Sequence, residues 1–506
     1  MFANIYGETT SGIEGVTISV EVDVANGLPA FDIVGLPTMS VREARERVKS
    51  ALRNSDYPFP MTHITVNLAP ADLKKDGSGL DLPIAIGVLV SAKLLKVENT
   101  EDKVFIGELS LDGGVRRVNG VLSMIIEAQR DGFKEIYIPL ENAPEGKLVK
   151  GIDVYPVTSL RELVWHLEGS KKISPLPKEN ILRNLERAYN VDFSEVKGQP
   201  VARRALEIAA AGGHSILMMG APGCGKTMLA RRLVTILPPV TEAEALEITK
   251  IYSIVNMLPA SESVMVERPF RSPHHSVSAS ALLGGGTYPR PGEVTLSHNG
   301  VLFLDELPEF ERNALEMLRQ PLEDGEVSIS RVRGSVTFPS KFMMIAAQNP
   351  CPCGFLGDKS RRCVCKQKEI DNYRRKISGP LLDRIDMQIN LTRVEFSELK
   401  NKAPGECSAD IRKRVVKARN VQLERFSGSN IYCNAQMTRR EVTKYCLLDE
   451  AAQNVLGKYF TALHLSARSH DRILKVARTI ADLSGSDRIT ATHIAEAIQL
   501  RTSVSG

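Results

Sequence analysis

The string SILMMGAPGCGKT, from Ser215 to Thr227, constrains this chain more than any other. Four apolar residues, Ile216 to Met219, have the length and character of a buried strand. Gly220, Ala221, Pro222, Gly223, Cys224 and Gly225 make a loop, and Lys226 and Thr227 open the run MLARRLVTIL, which reads as a helix. A glycine, four residues, Gly-Lys and then Ser or Thr, set between strand and helix, is the phosphate-binding loop in the context it requires. Its glycines let backbone N–H groups turn inward around phosphate oxygens, and the helix N-terminus adds partial positive charge. Lys226 is expected to reach the β- and γ-phosphates, and Thr227 to hold Mg2+ through its hydroxyl. The chain is therefore expected to bind a nucleoside triphosphate with Mg2+. Cys224 reads as a small filler of the loop and not as a nucleophile.

A length of 506 residues accommodates two to four domains, each with its own core. No apolar run approaches the roughly 20 residues needed to span a bilayer. The start MFANIYGETTSG lacks a basic segment followed by an apolar one, so the cytoplasm is the expected compartment. A net charge of +5 is too mild to imply nucleic acid by itself. Two basic segments stand out: Arg42, Arg45, Arg47, Lys49 and Arg53, and then Arg412, Lys413, Arg414, Lys417 and Arg419. Each reads equally as a nucleic-acid contact or as a solvated helix face. Eight cysteines in such a chain argue against a disulfide framework.

Residues 1–168 mix strands with helices and read as one α+β domain, LDLPIAIGVLVSAKLL being a buried helix within it. Two strings there, KKDGSGLDLPIA (Lys74 to Ala85) and GELSLDGGVRRVNGVLSMI (Gly107 to Ile125), resemble the Lon-type protease domain, whose fold is ribosomal-S5-like. That family uses a Ser–Lys dyad. Aligned by eye, the nucleophile position falls on Gly79, with Ser78 one residue away, and the lysine position on Leu122. A serine without a nearby base is a weak nucleophile. The domain is thus expected to be proteolytically inactive, a scaffold or substrate-handling surface, with Ser78 an ordinary loop serine. Residues 169–192, rich in prolines and charges at their start, read as a linker and connecting helix.

Downstream, further strings resemble AAA+ ATPase motifs. Val196 to Gln199 match the stretch that packs on adenine in that family, making Val196 and Gln199 cofactor-binding candidates. VLFLDELPEF has the form of a Walker B strand: Asp305 would support Mg2+ and Glu306 would polarise the attacking water. KFMMIAAQNP puts Asn349 at the sensor-1 position, where an amide helps hold that water. GPLLDRIDMQI resembles the arginine-finger segment of the Mg-chelatase and MCM branch, with Arg384 entering a neighbouring subunit's site. LSARSHDRILKVARTIADL resembles a sensor-2 helix, with Arg468 the best-aligned arginine and Arg472 the reserve.

The insertion PFRSPHHSVSASALLGGGTYPRPGEVTLSHNG also resembles that branch, as does an expected hairpin around Arg331-Val332-Arg333-Gly334. Arg331 and Arg333 are DNA-contact candidates, the alternative being an ordinary surface hairpin. His274 and His275 are adjacent, and neighbours on a strand point apart, so a metal shared by these two alone is not expected. Cys351, Cys353, Cys363 and Cys365 lie within fifteen residues and suit tetrahedral zinc; another soft metal, an iron–sulfur cluster and free thiols are the alternatives.

In this order, with PFRSPHH, GVLFLDELPEF, AAQNPCPCG and GPLLDRID, the motifs closely resemble the ComM/YifB family of Mg-chelatase-like ATPases over nearly the whole chain. The resemblance implies a multidomain α/β protein with a degenerate Lon-like domain (1–168), an AAA+ P-loop α/β core carrying the cysteine cluster (193–395) and a C-terminal helical lid (396–506). It further implies an ATP-driven hexameric ring on single-stranded or branched DNA, promoting branch migration in natural transformation. An ATP-dependent Lon-like protease and a Mg-chelatase-type motor subunit are the alternatives.

Overall fold

The computed structural model describes residues 2–75, 77–97, 99–179, 189–258, 263–286, 289–331, 334–358, 361–394, 405–462 and 465–502. The chain divides into two compact units, Met1–Asn184 with Glu242–Met265, and Leu185–Thr241 with Val266–Gly506.

The first unit is built on a seven-stranded mixed sheet, ordered Ala30–Val34, His63–Ala69, Glu14–Ala25, Phe2–Ser11, Lys103–Phe105, Glu135–Pro139 and Asp153–Val157. Only the pairings of Glu14–Ala25 with its two neighbours are antiparallel. Alternation of apolar and polar residues puts Ile18, Val20 and Val22 into the core, as the pleat requires. The helix Asp81–Ser91 is apolar all round and is buried along almost its whole length, as expected of LDLPIAIGVLVS. Asp81, at its start, accepts from Arg47 Nε and Nη2 at 2.6 and 2.9 Å and from the Leu109 N–H at 3.2 Å. Burial nonetheless pushes its carboxyl up to about 6.

The segment Glu242–Met265 lies between the phosphate loop and the Walker B strand in sequence, within the stretch 193–395, yet it belongs to the first unit. Its helix Glu242–Ile254 packs on the helix Val121–Arg130. Ser253 Oγ donates to Glu145 at 2.5 Å and accepts the Gly120 N–H at 3.1 Å, and Lys250 pairs with Glu14 at 3.1 Å.

The second unit carries a five-stranded, all-parallel sheet ordered Phe270–Arg271, Val301–Leu304, Met343–Gln348, Ile216–Gly220 and Met387–Leu391. The three strands Val301–Leu304, Met343–Gln348 and Ile216–Gly220 are near-continuous apolar runs, as strands covered on both faces must be. Among the described residues five helices follow, Ser408–Arg425, Arg439–Tyr445, Glu450–Ala462, Ala467–Ser484 and Ala491–Thr502, and share one apolar core with the sheet. A buried polar network runs through that core. His214 spans Asp386 at 3.0 Å and Thr479 at 2.8 Å, Arg472 pairs with the same Asp386, and Asp482 takes Arg425, Arg478 and Asn434.

Candidate nucleotide-binding site

Because the strands of the second sheet are all parallel, their C-terminal ends open on one edge, where ligands of such sheets bind. Met219 pairs with Gln348, Leu304 with Ala346 and Gly220 with Leu391, so the residues just beyond these ends converge. Lys226 Nζ donates to the Gly220 carbonyl at 2.6 Å, the Ala221 carbonyl at 3.2 Å and Asn349 Oδ1 at 3.0 Å. Thr227 Oγ1 donates to Asp305 Oδ2 at 2.7 Å, and the Glu306 N–H to Asp305 Oδ1 at 3.0 Å. The glycine loop, Asp305 with the adjoining Glu306, and the Asn349 amide therefore meet in one place. Desolvation lowers the Lys226 ammonium below the usual lysine range, with Asp305 and Glu306 opposing it.

Within the loop, Gly223 and Gly225 have φ of 79° and 92°, the left-handed region that glycine enters without a Cβ penalty. Pro222 and Gly223 are exposed, leaving the loop backbone open to a ligand. Cys224 is buried with its Sγ toward Gly220, and burial pushes its thiol up, which fits a filler. Val196 is fully buried, while Gln199 sits at φ 56° and donates its side-chain amide to the Thr392 carbonyl, one residue past the strand that borders Gly220.

Glu306 is exposed, with φ 53°, an uncommon backbone for a residue with a Cβ. Its carboxylate faces His275 Nδ1 at 3.5 Å. The histidine pair departs from the strand-based expectation that the two rings point apart. The strand ends at Arg271, so the segment is free to turn, and the two rings lie 4.0 Å apart between centroids. His274 is occupied by Ser276 at 2.8 Å, and among the described residues no metal-ligand cluster forms around the pair. His275 stands four residues beyond the strand Phe270–Arg271, which borders Val301–Leu304, and no sequence motif marks its contact with Glu306.

Arg384 and Arg468 both donate to Glu323, and Arg384 also donates to the Pro380 carbonyl at 2.9 Å. The Arg384 Nε is buried and without a partner among the described residues. The structure thus brings the two arginines to one carboxylate, distinct from the acceptors that hold Lys226. Arg472, the reserve candidate, is committed to Asp386 in the buried network.

The expected hairpin forms: Glu326–Arg331 pairs antiparallel with Gly334–Pro339, Val327, Ile329 and Phe338 facing inward. Arg331 ends its first strand, and Arg333 lies outside the described residues. Four residues of the two basic segments bond within the fold, while Arg42, Arg45, Arg53, Lys413 and Lys417 are exposed. Arg47 serves Asp81, Arg412 the Thr235 carbonyl at 2.7 Å, Arg414 Glu207 at 2.6 Å, and Arg419 the Ala210 and Ala211 carbonyls. Ser78 Oγ donates to Glu108, Gly79 is buried and Leu122 is in the core, so no lysine faces this serine among its described contacts. None of the eight cysteines is in a disulfide, and the Sγ atoms of Cys351, Cys353, Cys363 and Cys365 lie within 4.8 Å of one another.

Comparison with known proteins bears on the same residues. Residues 192–399 match the family model described as magnesium chelatase, subunit ChlI, and residues 405–501 match the model of that subunit's C-terminal region. Residues 20–142, which include both Lon-like strings, match a further model, subunit ChlI of Mg-chelatase. The chain is 43% identical to competence protein ComM of Haemophilus influenzae, covering 99% of this chain and 98% of that protein. This chain belongs to the ComM/YifB family of Mg-chelatase-like proteins. It is also 42% identical to the uncharacterized protein YifB of Escherichia coli, over 98% of this chain and 96% of YifB. A shorter stretch, 18% of the chain, is 37% identical to DNA repair protein RadA of Streptococcus pneumoniae.

Membership of the ComM/YifB family makes this a ComM-like AAA+ ATPase, and the family implies ATP and Mg2+. The residues fit both: an open glycine loop with a lysine at its end, and a hydroxyl already 2.7 Å from a carboxylate, hard oxygen donors of the kind Mg2+ takes. Among the described residues, no helix is long and apolar enough to cross a membrane.

Proposed function

We propose that this chain is an ATP-driven ring motor, a hexamer, that acts on single-stranded or branched DNA as a branch-migration helicase in recombination and natural transformation. The observation that carries the reading is that the charged groups fall into two sets with different partners. Lys226, Thr227, Asp305, Glu306 and Asn349 gather at the strand ends, while Arg384 and Arg468 are gathered on Glu323. A site in which one subunit supplies the cradle and its neighbour the arginines accounts for that arrangement. It has the logic of an arginine finger supplied in trans, an effect worth roughly 10³–10⁵ in rate where measured.

In this mechanism Lys226 leaves its three oxygen acceptors for the β- and γ-phosphates. Thr227 and Asp305 would hold Mg2+, which would supply charge neutralisation on the phosphates. Glu306 orients the attacking water with Asn349, and Val196 and Gln199 border the adenine. The neighbour's Arg384 and Arg468 exchange Glu323 for the γ-phosphate, so that hydrolysis reports to the next subunit. Arg331 and Arg333 grip DNA phosphates, giving sequence-independent, salt-dependent binding. The names of two similar proteins, a competence protein and a DNA repair protein, favour DNA as the track.

The test is ATP turnover with and without forked and four-way DNA at low salt, together with branch migration of the four-way substrate. Stimulation by DNA and ATP-dependent strand exchange are expected. ATP hydrolysis indifferent to DNA, with no DNA binding, would refute the DNA assignment and leave the ATPase standing.

A further inference from the structure

The geometry points to a tetrathiolate zinc site, Cys351, Cys353, Cys363 and Cys365, that braces the phosphate loop and thereby sets the affinity for ATP; the second half of this inference rests on the nucleotide site proposed above. The spacing of the thiols is the first observation. Cys351 Sγ lies 3.4 Å from Cys353 Sγ and 3.6 Å from Cys363 Sγ, and Cys353 Sγ lies 3.6 Å from Cys363 Sγ. Cys365 Sγ accepts the Cys353 N–H at 3.4 Å, and all four sulfurs fall within 4.8 Å of one another. Zinc–thiolate bonds of about 2.3 Å at tetrahedral angles give an S···S edge of about 3.8 Å. Cys351, Cys353 and Cys363 Sγ are therefore spaced as one face of such a tetrahedron, with Cys365 Sγ close enough to be its fourth corner. They are too far apart for a disulfide, whose S–S bond is about 2.05 Å. They are also more closely spaced than a cluster allows when each thiolate binds a different iron. Four thiolates held at such spacing with no cation between them would repel one another, and an all-sulfur donor set selects a soft or borderline ion.

The second observation is where the site stands. Cys351 follows Asn349 by two residues, and the Cys351–Gly354 turn is closed by the Gly354 N–H donating to the Cys351 carbonyl at 2.9 Å. Gly354, at φ 82°, lies directly on Pro222 of the phosphate loop. A Cβ added there would fall 2.6 and 2.7 Å from Pro222 Cδ and Cγ, and 3.8 Å from Asn349 Cγ. Backbone of the thiol-bearing turn is thus in contact with one wall of the cradle, and Asn349 holds Lys226 at 3.0 Å. A loop with exposed glycines has little of its own to fix its shape, so a rigid neighbour pressed against it acts as a splint. Zinc would supply that rigidity by tying Cys351 and Cys353 on one side of the turn to Cys363 and Cys365 on the other.

The test uses the full-length protein, purified under reducing conditions, with metal content measured by mass spectrometry and ATP affinity by titration with Mg2+ present. About one zinc per chain is expected. Stripping it with a chelator should weaken ATP binding roughly tenfold, and added zinc should restore it. Cys363→Ser should lose zinc and show the same weakening, uncorrected by added zinc. Reduced protein that neither carries nor takes up zinc overturns the metal site. Zinc-free protein that binds ATP as tightly as the loaded form overturns the brace. Zinc uptake with no ATP binding in any form overturns the nucleotide site and the brace with it, and supports the metal assignment.

Discussion

Replacing Lys226 with alanine separates the role of the phosphate loop from its stability. In the structure the ammonium is held by two loop carbonyls and the Asn349 amide oxygen, at 2.6, 3.2 and 3.0 Å. These acceptors sit in an open loop, and Pro222 and Gly223 beside them are exposed, so water replaces the lost donor. The stability cost is then about 1 kcal/mol or less, a shift of about 2–4 °C in the unfolding midpoint. Binding is another matter. A hydrogen bond to a charged group contributes about 1.5–3 kcal/mol, and with about 1.4 kcal/mol per tenfold this becomes a 10- to 150-fold loss of ATP affinity. The lysine's lowered pKa adds a second signature. The charged form is the one that binds phosphate, so affinity falls as pH rises through the unliganded pKa, earlier than for an ordinary lysine. Lys226→Arg, which stays charged, should flatten that alkaline limb. Calorimetric titration with ATP across pH, beside thermal unfolding of each variant, measures all three quantities. Affinity within threefold of the parent for Lys226→Ala would refute the phosphate-contact assignment; a fall of 10 °C or more would refute the stability argument.

Two further predictions concern residues that motif reading alone does not reach. Asp386→Ala should destabilise the second unit by about 3–5 kcal/mol, because it leaves the buried Arg472 charge and His214 without their shared acceptor; unfolding in urea measures it. Although burial opposes ionisation, Arg472 and His214 hold the Asp386 carboxyl well below the usual range. Its contribution is therefore fully present above the unfolded value of about 3.9 and lost as pH falls below it, so Asp386→Ala should blunt acid unfolding. His275→Ala should lower kcat by up to about fivefold at unchanged ATP affinity, the size expected for losing one polar contact of about 1 kcal/mol to Glu306. Steady-state turnover and ATP binding measured together test this, and an unchanged kcat would return His275 to the surface.

Local patterns carried the reading wherever the chemistry is contiguous. The apolar runs ending at Gly220, Leu304 and Gln348 are strands, and the polar residues just beyond them share one edge because the strands are parallel and adjacent. What was not legible depends on distant partners. Nothing in the string from Glu242 to Met265 announces that Ser253 will bond Glu145 and Gly120, in the other compact unit from its flanking sequence. Arg468 and Arg472 stand one helical turn apart and look interchangeable, yet one pairs with Glu323 and the other with the buried Asp386. Glu323 itself lies in no motif. Nor does a row of arginines reveal that Arg419, alone among the ten basic residues of the two segments, is buried and caps the Ala210 and Ala211 carbonyls from inside the fold.

The central claim is that each catalytic site is completed by a neighbouring subunit. Glu306→Gln abolishes water activation but keeps the arginines, and Arg384→Ala does the reverse. Each alone should bind ATP and hydrolyse almost none. Dissociated, mixed in equal amounts and reassembled, the two should regain turnover, because about one interface in four then joins an intact Glu306 to an intact Arg384. ATPase activity of the mixture well above both parents is the predicted result. A mixture no more active than its parents, in rings shown to contain both chains, would contradict the account.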